Sequence, residues 1–208
     1  GKKIAVSMDL GLDTKVDPEV ADSLQEASEC FASLGAEVEH VEVKWPVDPR
    51  EIVVIFFASG AAHMANNLSV EERGLLEPTL TDMVEYGEKL SMLSLKAAET
   101  DRVSNGRYMK NFFQTFDFLI SPTLPIAAFD AGRPNPPEYD NDTIGWTPLT
   151  GPFNLTGQPA ASIPSGFTTL GLPIGLQIIG PMYDDAGVLN CSRAFEEAIS
   201  FTSKRPPL

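Results

Sequence analysis

Cysteine and histidine are scarce in this sequence of 208 residues, which contains two of each. Cys30 and Cys191 lie far apart, and each falls in an amphipathic pattern typical of a helix face. Two such distant cysteines form neither a metal-binding motif nor a disulfide framework. Free thiols in a reducing compartment are therefore expected, so we predict a cytoplasmic protein without a metal site. We interpret His40 as a surface residue and His63 as a histidine satisfied within the core rather than a pocket residue.

Positive charge is also in short supply. The chain has 15 Lys and Arg residues against 29 Asp and Glu residues, which gives a formal net charge of −14. Nucleic-acid binding needs clustered Lys and Arg, and an anionic membrane surface attracts the same residues. The composition therefore argues against both partners. No apolar run approaches the length of a membrane span, and no signal peptide is visible.

Common catalytic and nucleotide-binding motifs are missing as well. The sequence contains no G-x-G-x-x-G, no G-x-x-x-x-G-K-[ST] and no G-x-S-x-G. Carboxylate pairs such as Glu71-Glu72 are adjacent in sequence, and neighbouring helical side chains do not converge on one point. These pairs are therefore interpreted as solvated surface charge.

The first 44 residues carry the pattern of a strand, a helix and a second strand. Ile4–Met8 reads as a buried strand, and Asp17 followed by Pro and Glu is a strong helix start. Gly35 is expected to end the helix, and Val38–Val43 to form the next strand. The predicted apolar face of the helix consists of Val20, Leu24, Ala27, Phe31 and Leu34.

The middle of the chain is predicted to be mainly helical. Ile52–Leu68 is apolar and Ala-rich, typical of a mostly buried helix, and residues 75–116 favour two or more helices. Phe118–Ser121 reads as a short buried strand, and residues 130–145 have the composition of a long exposed loop. The amphipathic segment Asp185–Ile199 predicts a final helix.

Between that loop and the final helix lies a stretch rich in Gly and Pro whose gaps hold apolar residues. Ala160–Pro164 and Ile174–Ile179 are interpreted as two short strands in the middle of a sheet, and Gly175 indicates a close neighbour. Strands that are buried yet short are typical of a sheet covered by helices. The predicted fold class is α/β, with all five strands in one mixed central sheet.

Four motifs, in this order and spacing, resemble the second half of amidase-signature family enzymes. They are Phe118–Pro125, Phe153–Ala160, Ile163–Phe167 and Gly171–Pro181. The resemblance covers nearly the whole chain, and it identifies residues 1–208 as the C-terminal portion of an amidase-signature domain. The chain starts at Gly1 without an initiator Met and begins at once with strand-like residues. We therefore expect a piece that begins inside a longer protein.

The resemblance implies a hydrolase that cleaves carboxamide C–N bonds without a metal or an organic cofactor. In the family a Ser nucleophile, a second Ser on a cis peptide and a Lys base lie in a Gly/Ser-rich upstream segment. This sequence contains no Gly-Ser-Ser or Gly-Gly-Ser run. No catalytic residue can therefore be assigned in this chain, which alone is expected to be inactive. Its expected partners are a small-molecule amide and the upstream catalytic half of the same protein, with self-association left open.

This half is expected to wall the substrate pocket. The predicted substrate-binding residues are Thr123, Leu124, Ile126, Trp146 and Phe153. For each of them a purely structural role, as a rigid strand exit or a cover of the core, is the alternative. The approach Trp146–Leu149 lacks the acidic residue expected in the tRNA-amidotransferase branch, which favours an aryl or aliphatic amide. The alternative function is a non-catalytic α/β ligand-binding or scaffold domain.

Overall fold

The computed structural model describes residues 1–139 and 145–199. Five strands form one mixed sheet in the order β2-β1-β3-β5-β4, which confirms the predicted α/β class and the shared sheet. β1 pairs in parallel with β2 and β3, whereas β5 pairs antiparallel with β3 and β4. The strands are β1 Lys3–Val6, β2 Glu37–His40, β3 Phe118–Pro122, β4 Ala160–Phe167 and β5 Pro173–Ile179.

Helices surround this sheet. A short 3₁₀ turn, Pro137–Tyr139, lies within the predicted long loop, of which residues 140–144 are outside the described part of the chain. The α-helices are α1 Pro18–Ser33, α2 Pro49–Ala65, α3 Val70–Arg73, α4 Pro78–Glu88, α5 Met92–Phe112, α6 Gly151–Thr156 and α7 Asp185–Ile199. The predicted final helix and the predicted pair of helices in residues 75–116 are thus confirmed.

The start and the end of α1 follow from its sequence. The Asp17 carboxylate accepts a hydrogen bond from the Glu19 N–H at 2.8 Å, which satisfies one of the free donors at the helix N-terminus. At the other end Gly35 has a φ of 90°, and the Ala36 N–H donates to the Phe31 carbonyl. This pattern is a Schellman cap. Leu34, predicted on the buried face, is instead 50% exposed, because it occupies the cap rather than the helix.

Two apolar clusters cover the two faces of the sheet. On the first face α1 and α7 pack over β1, β3 and β5, and the rings of Phe31 and Phe195 stack with their centroids 5.2 Å apart. On the second face Leu119 and Ile179 pack against residues that follow the helical layer, including Leu149 and Phe153. The sheet is therefore the common floor of both cores.

Two expectations about burial were wrong. β4 lies at the edge of the sheet and not in its middle, and its residues Ala160 and Ser162 are exposed. An edge position also accommodates Pro164, which has no N–H to donate to a neighbouring strand. α2 is only partly buried: Phe57 is 66% exposed, and His63 lies on the surface rather than in the core. His40 is exposed, as predicted.

Candidate functional site

The carboxyl ends of β1 and β3 meet at one edge of the sheet because the two strands run parallel. The loops that follow them are joined by a hydrogen bond of 2.8 Å from the Asp17 N–H to the Pro125 carbonyl. In α/β sheets, ligands bind in crevices outside such carboxyl ends. The predicted strand exit at Thr123–Ile126 therefore lies at an edge where a pocket can form.

The loop after β1 has an unusual backbone that is held from several sides. Leu10 and Asp13 have positive φ angles of 56° and 52°, which cost L-residues free energy. The Leu10 side chain is fully buried, and its carbonyl accepts a hydrogen bond of 2.9 Å from the Trp45 indole N–H. Buried packing and this hydrogen bond thus stabilise the loop in a fixed shape.

A cavity of about 580 Å³ opens between this loop, the first turns of α2 and the segment that leads into α6. Its apolar wall comes from Val53, Val54, Phe57 and Pro148. Its polar side chains are Asp13, Thr14, Lys15, Asp48, Arg50, Glu51, Tyr139, Thr147, Thr150 and Asn154. A concave site with an apolar wall and a few polar groups is the usual form of a small-molecule pocket.

Two of the charged groups at the cavity neutralise one another. Arg50 donates to both carboxylate oxygens of Asp48, with its Nη2 atom 2.6 Å from Oδ2. The hydrogen bond from the Arg50 side chain lowers the pKa of Asp48 below its usual range, so the carboxylate stays ionised. The same carboxylate accepts a hydrogen bond from the Arg50 N–H and caps α2. This pair therefore fixes the rim of the cavity at the start of the helix.

The five predicted substrate-binding residues lie around the cavity but do not line it. Trp146 sits between Gly145 and Thr147, which do, and its ring packs edge-to-face against Phe129 at 5.2 Å. Phe153 is 2% exposed and belongs to the core, where its ring lies 6.1 Å from that of Trp45. Their roles toward a ligand stay predictions.

The other three predicted residues follow β3. Leu124 and Ile126 are half-buried, and Thr123 lies on the second face of the sheet. Thr123 Oγ1 and Ser162 Oγ are 2.8 Å apart, and a Cβ at Gly175 would lie only 3.0 Å from Thr123 Oγ1. The predicted close neighbour of Gly175 is therefore the Thr123 side chain.

Gln177 links this part of the sheet to the cavity wall. It is buried within β5, and its Nε2 donates to Ser121 Oγ and to the Leu149 carbonyl, both at 3.1 Å. Leu149 follows the cavity residues Thr147 and Pro148. Gln177 thus has the structural role expected of a buried polar group, and it holds the segment that lines the cavity.

Sequence reasoning missed the apolar wall on α2. Val53, Val54 and Phe57 fall in a segment predicted to be a mostly buried helix, although they line the open cavity. A usable signal was present, since residues 52–57 are all apolar, which is more than one helix face can bury. An apolar surplus of this kind indicates a second apolar contact in addition to the core.

The thiols and acidic groups offer little reactive chemistry. Cys30 and Cys191 are free and partly buried, and burial raises the pKa of Cys191 to about 12 and raises that of Cys30 as well. A neutral thiol is a poor nucleophile. Within residues 1–139 and 145–199, no group of three or more His, Cys, Asp or Glu residues is placed to hold a metal ion. In the same ranges, no helix is long and apolar enough to cross a membrane.

Residues 1–189 match the family model described as Amidase. The chain belongs to the amidase family. The glutamyl-tRNA(Gln) amidotransferase A protein of Oceanobacillus iheyensis is 31% identical over 239 residues, which cover 100% of this chain and 47% of that protein. An acylamidase from Rhodococcus erythropolis is 29% identical, covering 99% of this chain and 44% of that protein. The chain thus spans about half the length of the curated relatives it matches.

Solved structures agree with this assignment. A bacterial aryl acylamidase of the amidase signature family superimposes with a TM-score of 0.84 at 28% identity, covering 100% of this chain and 46% of that one. A 6-aminohexanoate cyclic dimer hydrolase, at 21% identity and a TM-score of 0.81, shares the fold. Amidotransferase proteins and acylamidases resemble this chain to a similar degree, so the argument against the amidotransferase branch stays a prediction.

Proposed function

We propose that this chain is the substrate-pocket-forming C-terminal part of an amidase that hydrolyses the C–N bond of aryl or aliphatic carboxamides. The observation that carries the proposal is the family match over residues 1–189. The catalytic Ser, the Ser on a cis peptide and the Lys base would lie upstream in the complete protein. That protein would be cytoplasmic, and no metal or organic cofactor enters the proposed reaction.

In such an enzyme the upstream residues supply the chemistry. A neutral Lys accepts a proton through the bridging Ser hydroxyl from the nucleophilic Ser, which attacks the amide carbonyl, and backbone N–H groups stabilise the oxyanion. The present chain supplies the wall against which the substrate is oriented. Positioning of this kind is a large part of catalysis, because it removes orientational entropy before the reaction.

The walls described above suit an apolar amide. Val54 and Phe57 offer apolar surface at the cavity, and Trp146 packs beside it against Phe129. Leu124 and Ile126 are half-buried at the neighbouring strand exit. Removal of apolar pocket wall changes binding by roughly 1–3 kcal/mol per side chain. These side chains would therefore tune which amide is accepted rather than whether the reaction proceeds.

The test uses the complete protein that carries this segment. Leu124→Ala, Trp146→Ala and Phe57→Ala are compared by the ratio of kcat/KM for a bulky aryl amide to that for a short aliphatic amide. We expect each ratio to shift by about ten- to a hundredfold. Leu189→Ala is the matched control, because Leu189 is 66% exposed on α7 and lines no part of the cavity.

Two outcomes would contradict the proposal at different levels. An unchanged ratio in all three folded variants would show that these residues only maintain the fold and that the substrate is bound elsewhere. Absence of turnover by the complete protein on both kinds of amide would remove the amidase function itself and would favour a non-catalytic ligand-binding domain.

A further inference from the structure

The two edges of the sheet have opposite chemical character. β2, at one edge, has the sequence EVEH, and its residues Glu37 and Glu39 form ion pairs with Lys3 of the neighbouring strand. β4, at the other edge, has the sequence AASIPSGF and carries no charged residue. Charged side chains are a common means of protecting a true edge from further pairing. β2 therefore has the features of an outer edge, and β4 does not.

The hydrogen-bond ladder identifies which groups of β4 are unpaired. The Gly180 N–H donates to the Pro159 carbonyl, and the Thr123 N–H donates to the Gly175 carbonyl. Bonding therefore alternates along β5: even-numbered residues face β4, and odd-numbered residues face β3. By the same alternation Ala161 and Ile163 bond to β5, so the N–H groups of Ala160 and Ser162 point outward from the sheet.

The pairing segment of this edge is short and has a definite end. Pro164, the next residue directed outward, has no N–H to donate. The register between β4 and β5 then shifts between Pro164 and Gly166, which bends the rest of the strand. Only Ala160–Ile163 therefore presents a regular edge to a further strand.

The sheet surface beside this edge is also open. Ala160 and Ser162 are exposed on the second face, although both side chains are small enough for another layer to approach closely. The hydroxyl groups of Ser162 and Thr123 lie 2.8 Å apart there, and one of the pair has a hydrogen left to donate. The uncharged edge and the open face thus occur at the same end of the sheet.

We infer that the Ala160–Ile163 edge pairs with a β-strand from the part of the complete protein that lies outside these 208 residues. This inference rests on the proposed function, in which the chain is the C-terminal part of a longer amidase. The aryl acylamidase structure supplies the length argument, because this chain covers only 46% of it. β2 remains the outer edge of the completed sheet.

Amide hydrogen exchange on the complete protein tests the inference residue by residue. The Ala160 and Ser162 amides should exchange about a hundredfold or more slowly than the outward amides of β2, Val38 and His40. Ala161 is the internal control, because its N–H bonds to β5 and is protected under either hypothesis. Exchange of Ala160 and Ser162 as fast as that of Val38 and His40 would overturn the inference.

The origin of any protection is decided by dilution. A strand from the same chain protects Ala160 and Ser162 equally in a monomeric sample and at a hundredfold higher concentration. Protection that disappears in the monomer would assign the edge to a second copy and would contradict the proposal. Both results are independent of amide turnover, so a failure here leaves the proposed function standing.

A set of variants of the complete protein adds a second readout. Ser162→Pro removes the outward N–H, and Ser162→Ala removes only the hydroxyl. We expect Ser162→Pro to speed exchange of Ala160 by about tenfold or more, whereas Ser162→Ala leaves it near the parent value. His40→Pro, which places proline at the β2 edge, should leave Ala160 unchanged. Equal effects of Ser162→Pro and Ser162→Ala would contradict an edge that accepts a strand.

Discussion

Gly175 has no space for a side chain, because Thr123 and Ser162 occupy the surface of β5 above it. An added Cβ would lie 3.0 Å from Thr123 Oγ1, 3.2 Å from Thr123 Cβ and 3.3 Å from Ser162 Oγ. We expect Gly175→Ala to lower the free energy of unfolding by about 1–3 kcal/mol, the usual cost of overpacking. Urea denaturation with a fixed m-value measures the change.

Gly60→Ala is the matched control for this substitution. Gly60 lies inside α2 with nothing within 4 Å of its added Cβ, so only the helix propensity changes. We expect the free energy of unfolding to rise by about 0.5–1 kcal/mol. If Gly175→Ala were as stabilising as Gly60→Ala, the packing described around Thr123 would be incorrect.

At the scale of single elements, the N-terminus of α1 depends on Asp17. Its carboxylate accepts a hydrogen bond from the Glu19 N–H, and its own N–H holds the loop after β3 through the Pro125 carbonyl. Asp17→Ala removes only the side-chain bond and should cost about 1 kcal/mol of unfolding free energy. The measurement is again a denaturant midpoint.

Asp22→Ala separates capping from charge. Asp22 lies inside the same helix, so this variant removes the same negative charge without removing a cap. It should not lower the free energy of unfolding, since Ala is the better helix former. Equal losses in the two variants would mean that Asp17 acts through charge and not as the cap.

The strands were predictable because each is short, apolar and bounded by turn residues. The position of β4 was not, because small apolar residues suit both a central strand and an edge that is covered elsewhere. The same ambiguity affected α2, where Val54 and Phe57 line a cavity instead of the core. Local sequence reports that a side chain avoids water, but it does not report which surface covers it.

The candidate site was predictable only in outline. The strand exit after β3 lies at the sheet edge as expected, since carboxyl ends of parallel strands converge there. The cavity itself is built by the loop after β1, by α2 and by the segment before α6, which are distant in sequence. Their meeting depends on tertiary contacts such as that of Gln177 with the Leu149 carbonyl. Sequence spacing alone contains no measure of such contacts.

At the scale of the whole molecule, we predict that these 208 residues alone hydrolyse no amide. The sequence lacks the Gly/Ser-rich run that holds the family's Ser-Ser-Lys group, and burial keeps the Cys191 thiol protonated with a pKa of about 12. The assay compares the isolated chain with the complete protein on aryl and aliphatic amides. Turnover that copurifies with the isolated chain, and that is absent from a mock preparation, would contradict the prediction.

The two tryptophans of the chain lie in different surroundings. Trp45 donates its indole N–H to the Leu10 carbonyl and contacts the rings of Tyr108 and Phe153, whereas Trp146 packs on Phe129 beside the cavity. Intrinsic fluorescence can therefore observe the core and the cavity wall separately. With Trp146→Phe the remaining emission follows Trp45 and the integrity of the fold. With Trp45→Phe the emission follows Trp146, and its wavelength and intensity become an optical signal for ligand binding.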